Sequence, residues 1–462
     1  MASIVETQSV KERRKAIFQL VWPATMESLL QYLVGLLATA MVGRLGAVAI
    51  SATGLSNRVV RIPSALALMV TVGVTILIAQ AIGAKRYEKV ANLSYQALAI
   101  SIIMGIAITL IGFVYAGDIL AMFNAEEGLH EVATNFLRIA IWSIPFTLPS
   151  MTIGAALRGA GNTKTAMYVA LVVNVVNVGI GYILIFGFGP VPALGVYGAA
   201  ISLVIAQFVG LIVACLAMFH PNSPIQLRTV TSRRLSFPQI TEIISLGFPA
   251  SAESLLWQAA TIVLTMVIVR FGTVALAAHQ LGLEAEGLSY MPSIGLGVAC
   301  TTLVGQALGA RDRELTKFYV REVLTWTILL TIVTGGILLL FPRFLLGLLT
   351  NDGEVIALGS YYLILMGLIQ VPQQATAIFK GAFRGAKDTK TPMLIALFGI
   401  WVIRIPLAFL LGENLGMGVI GVWIAITTDV FIRFLVSLYY FRKHKWLEDG
   451  ISANSESVTS VS

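Results

Sequence analysis

The sequence predicts an all-α integral membrane protein with twelve transmembrane helices in two pseudo-symmetric six-helix bundles. Composition is the first reason. Hydrophobic residues make up 57% of the chain and charged residues 12%, and mean hydropathy is +0.86. A water-soluble domain needs more charge than that, so the solvent here is a bilayer. Repetition is the second reason. Pro23-Ala24-Thr25-Met26-Glu27-Ser28-Leu29-Leu30 returns as Pro249-Ala250-Ser251-Ala252-Glu253-Ser254-Leu255-Leu256, an offset of 226 residues (253 − 27). The same offset carries Gln80-Ala81-Ile82-Gly83-Ala84 onto Gln306-Ala307-Leu308-Gly309-Ala310. It also carries Arg158-Gly159-Ala160-Gly161-Asn162-Thr163-Lys164-Thr165 onto Arg384-Gly385-Ala386-Lys387-Asp388-Thr389-Lys390-Thr391. Three matches in one register describe a duplicated unit that fills the chain. In an apolar protein, duplication of this size marks secondary transporters, whose sites sit at the repeat interface.

The first half reads as helices at roughly 16–42, 48–82, 92–116, 131–158, 164–187 and 194–219, each apolar for the ~20 residues a span requires. The second half reads as helices at roughly 239–269, 275–308, 317–341, 355–383, 391–411 and 417–442. Lys11, Arg13, Arg14 and Lys15 precede the first helix, and no small-residue cleavage site follows it, so no cleavable signal peptide is expected. Basic connections carry Lys85, Arg86 and Lys89, then Arg158 and Lys164, then Arg228, Arg233 and Arg234. In the second half they carry Arg311, Arg313, Lys317 and Arg321, then Arg384, Lys387 and Lys390, then Arg442, Lys443 and Lys445. The alternate connections hold Asp118, Glu126, Glu127, Glu131, Asp352, Glu354 and Glu413. All the basic loops fall on one side of a twelve-helix topology, and the positive-inside rule places both termini in the cytoplasm.

The expected organisation is a cytoplasmic N-terminus (1–15), an N-lobe of six helices (16–219), a polar linker (220–238), a C-lobe of six helices (239–446) and a disordered tail (447–462). At each Arg-Gly corner, Gly159 or Gly385 suits a left-handed helix stop and Asn162 or Asp388 an N-cap of the next helix.

Several classes of function are excluded. The net charge of +8 resides in loops on one side, which removes the case for nucleic acid. No G-x-x-x-x-G-K-[ST] loop occurs, so ATP does not drive the protein. Cys215 and Cys300 lie in apolar runs and are read as unbridged, and His130, His220, His279 and His444 are too scattered for a metal site. No nucleophile–base set appears, so the chain is not read as an enzyme. No cofactor is expected, and the expected partners are a small-molecule substrate and the lipid bilayer around a monomer.

The Arg-Gly-x-x-x-Thr-Lys-Thr corners, the Gly43-Arg44-Leu45-Gly46 turn and the Ala277-Ala278-His279-Gln280 run resemble the multidrug and toxic compound extrusion (MATE) family over about residues 12–446. The resemblance implies two six-helix bundles facing each other across a cleft lined by helices 1, 2, 7 and 8. It also implies antiport at the cytoplasmic membrane, in which an amphipathic, often cationic compound leaves as Na⁺ or H⁺ enters. One branch of the family has an Asp in helix 1 where this chain has Ala38, and follows an Asn in helix 5 with an Asp. Here Asn177 matches the Asn, but Gly181 stands at the Asp position. Another branch has an acid in helix 10 where this chain has Gln373, and its helix 7 acid falls near Trp257, one turn from Glu253. The N-lobe ion site is therefore expected to be missing and the C-lobe cluster altered.

Ionisable residues inside apolar helices are costly and mark candidate sites. Glu27 and Glu253, expected near mid-membrane, could exchange a proton or take Na⁺ or an organic cation. Glu284 and Glu286 in the eighth helix complete the ion-coupling candidates. Glu284 matches Arg58 at the repeat offset, so a basic wall of Arg58 and Arg61 could oppose an acidic one. Arg404 and Asp429 are read as a structural pair, with Arg433 on the same face as Asp429. Trp257, Tyr290, Met291, Gln373, Gln374 and Asn177 are candidate substrate contacts, since broad recognition favours adaptable Met and aromatic surfaces. Two rival readings remain at this point. A lipid-linked glycan flippase of the same superfamily would suit Arg58 and Arg61, and a non-transporting receptor or scaffold is the other.

Overall fold

The computed structural model describes residues 10–123, 127–221, 223–225, 234–443 and 446–448. The first half contains α1 (Val10–Gly43), α2 (Ala47–Gly83), α3 (Tyr87–Val114), the short α4 (Ala116–Ala121) and α5 (Glu127–Ala140). It continues with α6 (Ile144–Gly159), α7 (Thr163–Phe186) and α8 (Gly195–Phe219). The second half contains α9 (Phe237–Val269), α10 (Thr273–Gly309), α11 (Arg313–Leu340), the short α12 (Pro342–Gly347) and α13 (Gly353–Gly385). It ends with α14 (Lys390–Leu397), α15 (Ile405–Phe409) and α16 (Gly418–Arg442). Counting α5–α6 and α14–α15 as one helix each, twelve helices among the described residues are long and apolar enough to cross a membrane. The largest difference from the sequence reading is at α1, which starts at Val10.

Two helices are irregular for identifiable reasons. Pro145 and Pro149 follow the 3-10 turn Ile141–Ser143 that joins α5 to α6, and proline removes the amide that would continue the ladder. The stretch α14–α15 is interrupted by π-helical turns at Phe398–Arg404 and Leu410–Asn414, a geometry common at functional positions.

The chain forms two compact units, Trp22–Ser251 and Met1–Val21 with Ala252–Ser462. These differ from the lobes expected at 16–219 and 239–446, because α1 and α9 each change unit beside their proline, Pro23 and Pro249. The reason is local packing. Ile17, Leu20 and Val21 lie in a core with Leu296, Ala299, Cys300, Leu303, Phe379 and Phe383. Reciprocally, Ile243 of α9 lies in a core with Val70, Val74 and Ile78 of α2. A Cβ on Gly247 would strike the Met69 carbonyl, so only glycine admits that approach.

The corners repeat in detail. Left-handed backbone falls at Gly46 and Gly272, at Lys85 and Arg311, and at Gly161 and Lys387, each pair at the repeat offset. The expected left-handed stops at Gly159 and Gly385 are thus displaced by two residues. Those two glycines serve close packing instead. A Cβ on Gly159 would stand 2.8 Å from the Thr75 carbonyl, and one on Gly385 would stand 2.8 Å from the Thr301 carbonyl. Asn162 caps α7 by accepting the Thr165 amide at 3.2 Å. Asp388 accepts the Thr391 amide at 3.0 Å.

Arg228, Arg233, Glu126, His444 and Lys445, residues 1–9, residues 222 and 226–233 of the expected 220–238 linker and residues 449–462 of the expected tail lie outside the described residues. Cys215 and Cys300 are both free.

Candidate functional site

Two ion pairs answer the duplicated glutamates. Arg158, in the last turn of α6, donates from Nη1 to Glu27 Oε1 at 2.8 Å. Arg384, in the last turn of α13, donates from Nη2 to Glu253 Oε2 at 2.9 Å. Partners in both pairs are 131 residues apart. Glu27 is residue 18 of the 34 in α1 and Glu253 residue 17 of the 33 in α9, so the arginine at each corner reaches a carboxylate near the middle of a helix. The two sites differ in one respect. Lys380 also donates to Glu253, at 3.0 Å, whereas the residue 226 positions earlier is Gly154. A Cβ on Gly154 would stand 3.3 Å from Arg158 Nη1.

Glu286 has a different environment. It sits well inside α10, is 6% exposed and accepts only from neutral groups of α13. Tyr362 Oη donates at 2.6 Å, and the Gln370 and Gln373 side-chain amides donate at 3.3 Å each. Gln374 is fully buried and donates to Gln370 Oε1 at 2.8 Å and to the Ser289 carbonyl at 3.3 Å. Gln373 Oε1 and Gln374 Oε1 are buried acceptors without a donor. Behind Tyr362, Trp423 Nε1 donates to His279 Nδ1 at 3.3 Å, and both rings meet Tyr362 edge-on. Gly282, one turn before Glu286, leaves room for the Tyr362 ring. At the repeat offset, Glu286, Tyr362, Gln370 and Gln373 correspond to Val60, Phe136, Ile144 and Thr147. The cluster therefore belongs to one unit only.

A third polar group lies in the same unit. Asp429 is fully buried and holds two arginines. Arg404 Nη2 stands 2.6 Å and Arg433 Nη2 2.8 Å from its Oδ2. Gly399 makes this possible, because a Cβ there would fall on Asp429 Oδ1. Gly198 and Gly421 anchor the comparison with the other unit, each lying against a carbonyl of the preceding helix, Leu184 or Leu411. Counted from these anchors, Asp429 and Arg433 correspond to Ala206 and Gly210, and Arg404 to Asn177. Asn177 Oδ1 accepts from Ser202 Oγ at 3.3 Å, and Gly181 packs against Ser202 and Met41.

The remaining candidates are spread out. Glu284 is exposed, off the face that carries Glu286. Trp257 is exposed, and Tyr290, Met291 and Gln373 are half-buried. Arg58 and Arg61 are exposed on α2, in the other unit. Sequence reasoning missed Arg158 and Arg384 as partners, although both are duplicated at the same offset as their glutamates. It also missed Lys380, whose signal was a lysine within an apolar helix. Tyr362 and Gln370 gave no signal, since only packing turns them toward Glu286. Among the described residues no group of His, Cys, Asp and Glu is arranged to hold a metal.

Twelve membrane-length helices in two repeats, with ionisable groups buried inside them, define a multi-pass membrane transporter. A model of the MatE family matches residues 23–183 and again 249–410, starting at Pro23 and Pro249. A probable multidrug resistance protein NorM of Thermotoga maritima is 31% identical over 445 residues, covering 95% of this chain and 94% of that protein. An uncharacterised transporter of Bacillus subtilis, YisQ, is 24% identical over 439 residues, covering 95% and 96%. The fold is shared with an outward-facing multidrug resistance MATE family transporter of the MOP superfamily (TM-score 0.87, 22% identity, 96% and 97% covered). It is also shared with a MOP superfamily transporter from Pyrococcus furiosus (TM-score 0.87, 22% identity, 96% of each chain). The chain belongs to the multidrug and toxic compound extrusion family, MatE.

Proposed function

We propose that this protein is a cation-coupled efflux antiporter for amphipathic small molecules, with Glu286 as its coupling carboxylate. The observation that carries the coupling role is the environment of Glu286, a buried carboxylate deep in a helix whose hydrogen-bond partners are all neutral. A carboxylate already matched by arginine gains little from a further cation, and Glu27 and Glu253 are so matched. Glu286 is not, so binding Na⁺ or H⁺ removes a buried negative charge. Its three donors all come from α13, so neutralising it weakens the hold of α13 on α10. That differential contact is what a transport cycle requires. The names of relatives, multidrug resistance proteins among them, support export of several compounds. The protein then works as a monomer in the cytoplasmic membrane with both termini inside, and carries no resident cofactor.

The test is transport of ethidium in liposomes under separately imposed Na⁺ and H⁺ gradients. Wild type is expected to move ethidium under one of them, and Glu286→Gln to insert but not move it. Gradient-driven transport by Glu286→Gln at the wild-type rate would remove the coupling role. A second reading, export of a lipid-linked glycan, is favoured by Arg58 and Arg61, which are exposed with no carboxylate partner among the described residues. Absence of ethidium movement under either gradient would favour it.

A further inference from the structure

The duplication acts as an internal control on which charges the fold needs. Both units keep one Glu–Arg pair at the corner, Glu27 with Arg158 and Glu253 with Arg384. Beyond these pairs, the buried charged residues among the described ones, Glu286, Arg404 and Asp429, all lie in one unit. Lys380 stands where the repeat has Gly154, and Arg404, Asp429 and Arg433 stand where it has Asn177, Ala206 and Gly210. Two charged groups result, Glu253 with Lys380 and Arg384 and Asp429 with Arg404 and Arg433. Together they hold four cationic side chains, Lys380, Arg384, Arg404 and Arg433, against two carboxylates, Glu253 and Asp429, so negative charge is in deficit. Uncompensated charge inside an apolar helix is costly, and a bound counter-ion relieves it.

The deficit is greatest around Lys380. Its ammonium group has three donors but meets one carboxylate oxygen, and its side chain is 34% exposed. Arg384 Nε beside it is a buried donor with no acceptor. Trp257, one turn beyond Glu253 on α9, is 51% exposed. A cation with open valence beside aromatic surface suits a ligand with one acidic group and an apolar body.

We propose that Lys380, supported by Arg384, is the anion subsite of this transporter. It takes the carboxylate, sulfonate or phosphate of an amphipathic organic anion or zwitterion, and Glu253 occupies it as an internal counter-ion when ligand is absent. The proposal rests on the transport reading above and extends its substrates beyond cations.

The experiment is equilibrium binding, without a gradient, to protein in phosphatidylcholine nanodiscs, so its outcome is independent of whether Glu286 couples transport. The probes are fluorescein as organic anion and ethidium as organic cation. Wild type is expected to bind fluorescein saturably. Lys380→Ala is expected to bind it at least about tenfold more weakly, the scale of one lost charge-assisted hydrogen bond, with ethidium binding unchanged. Glu253→Gln, which removes the internal competitor, is expected to bind fluorescein more tightly, an effect that structural damage does not mimic. No saturable fluorescein binding by wild type, equal binding by Lys380→Ala, or weaker binding by Glu253→Gln would each overturn the proposal. If Lys380→Ala loses ethidium binding as well, the Glu253→Gln result decides. Adding phosphatidylglycerol separates two sources of the same chemistry. Competition with fluorescein assigns the subsite to a lipid phosphate as well, and no competition restricts it to soluble anions.

Discussion

Tyr362 of α13 donates its hydroxyl to Glu286 of α10 at 2.6 Å, between two edge-on rings, His279 and Trp423. The ring contacts fix the direction of the hydroxyl, so Glu286 receives a preset donor rather than a mobile one. A hydrogen bond to a charged group contributes about 1.5–3 kcal/mol. Tyr362→Phe keeps the ring and removes only that bond. The variant should insert normally and show gradient-driven transport reduced by about tenfold or more. Transport at the wild-type rate would show that the hydroxyl is dispensable to the cycle.

The two corner pairs should differ in what their loss costs. Arg158→Ala leaves Glu27 buried without a cation, a change that typically costs about 3–5 kcal/mol. Arg384→Ala leaves Glu253 still paired with Lys380. Thermal unfolding in detergent should therefore show a larger drop in midpoint for Arg158→Ala. Lys380→Ala combined with Arg384→Ala should bring the second unit down to a comparable level. Equal drops for the two single variants would argue against this account.

Asp429 should be the least replaceable residue of its group. Asp429→Asn leaves two guanidinium groups with no counter-ion, whereas Arg433→Ala leaves Arg404 paired. Yields of monodisperse protein should fall in the order wild type, Arg433→Ala, Asp429→Asn. Gly399→Ala should resemble Asp429→Asn, since its methyl group occupies the place of the carboxylate oxygen.

Close helix approach can be tested apart from charge. Gly247→Ala pushes a methyl group into the Met69 carbonyl, and overpacking of this kind costs about 1–3 kcal/mol. Gly35 and Gly336 have no atom near their added Cβ. Alanine at either of those positions should leave the unfolding midpoint at or above that of wild type, since alanine is the better helix former. A neutral Gly247→Ala would mean that α2 and α9 separate easily there.

Much of this architecture was legible in the chain because its signals are local. A run of apolar residues specifies a spanning helix wherever it occurs, because no water is present to satisfy the backbone. Register between the halves follows from matched strings such as those around Glu27 and Glu253, and the paired left-handed residues Lys85 and Arg311 follow it. The roles of the carboxylates were less legible. Glu27, Glu253 and Glu286 look alike in sequence, each an acid within an apolar stretch of helix.

Sequence alone determined the twelve helices, their duplication and the family, since hydrophobicity and motif spacing are properties of neighbouring residues. Tertiary structure decided which acid is matched by arginine and which is held by neutral donors, and it decided that α1 and α9 change unit beside Pro23 and Pro249. The physical reason is range. A direct ion pair needs its two groups within about 4 Å of each other, and the residues that achieve it at the two corners are 131 positions apart in the chain. Only the facing of packed helices brings them together.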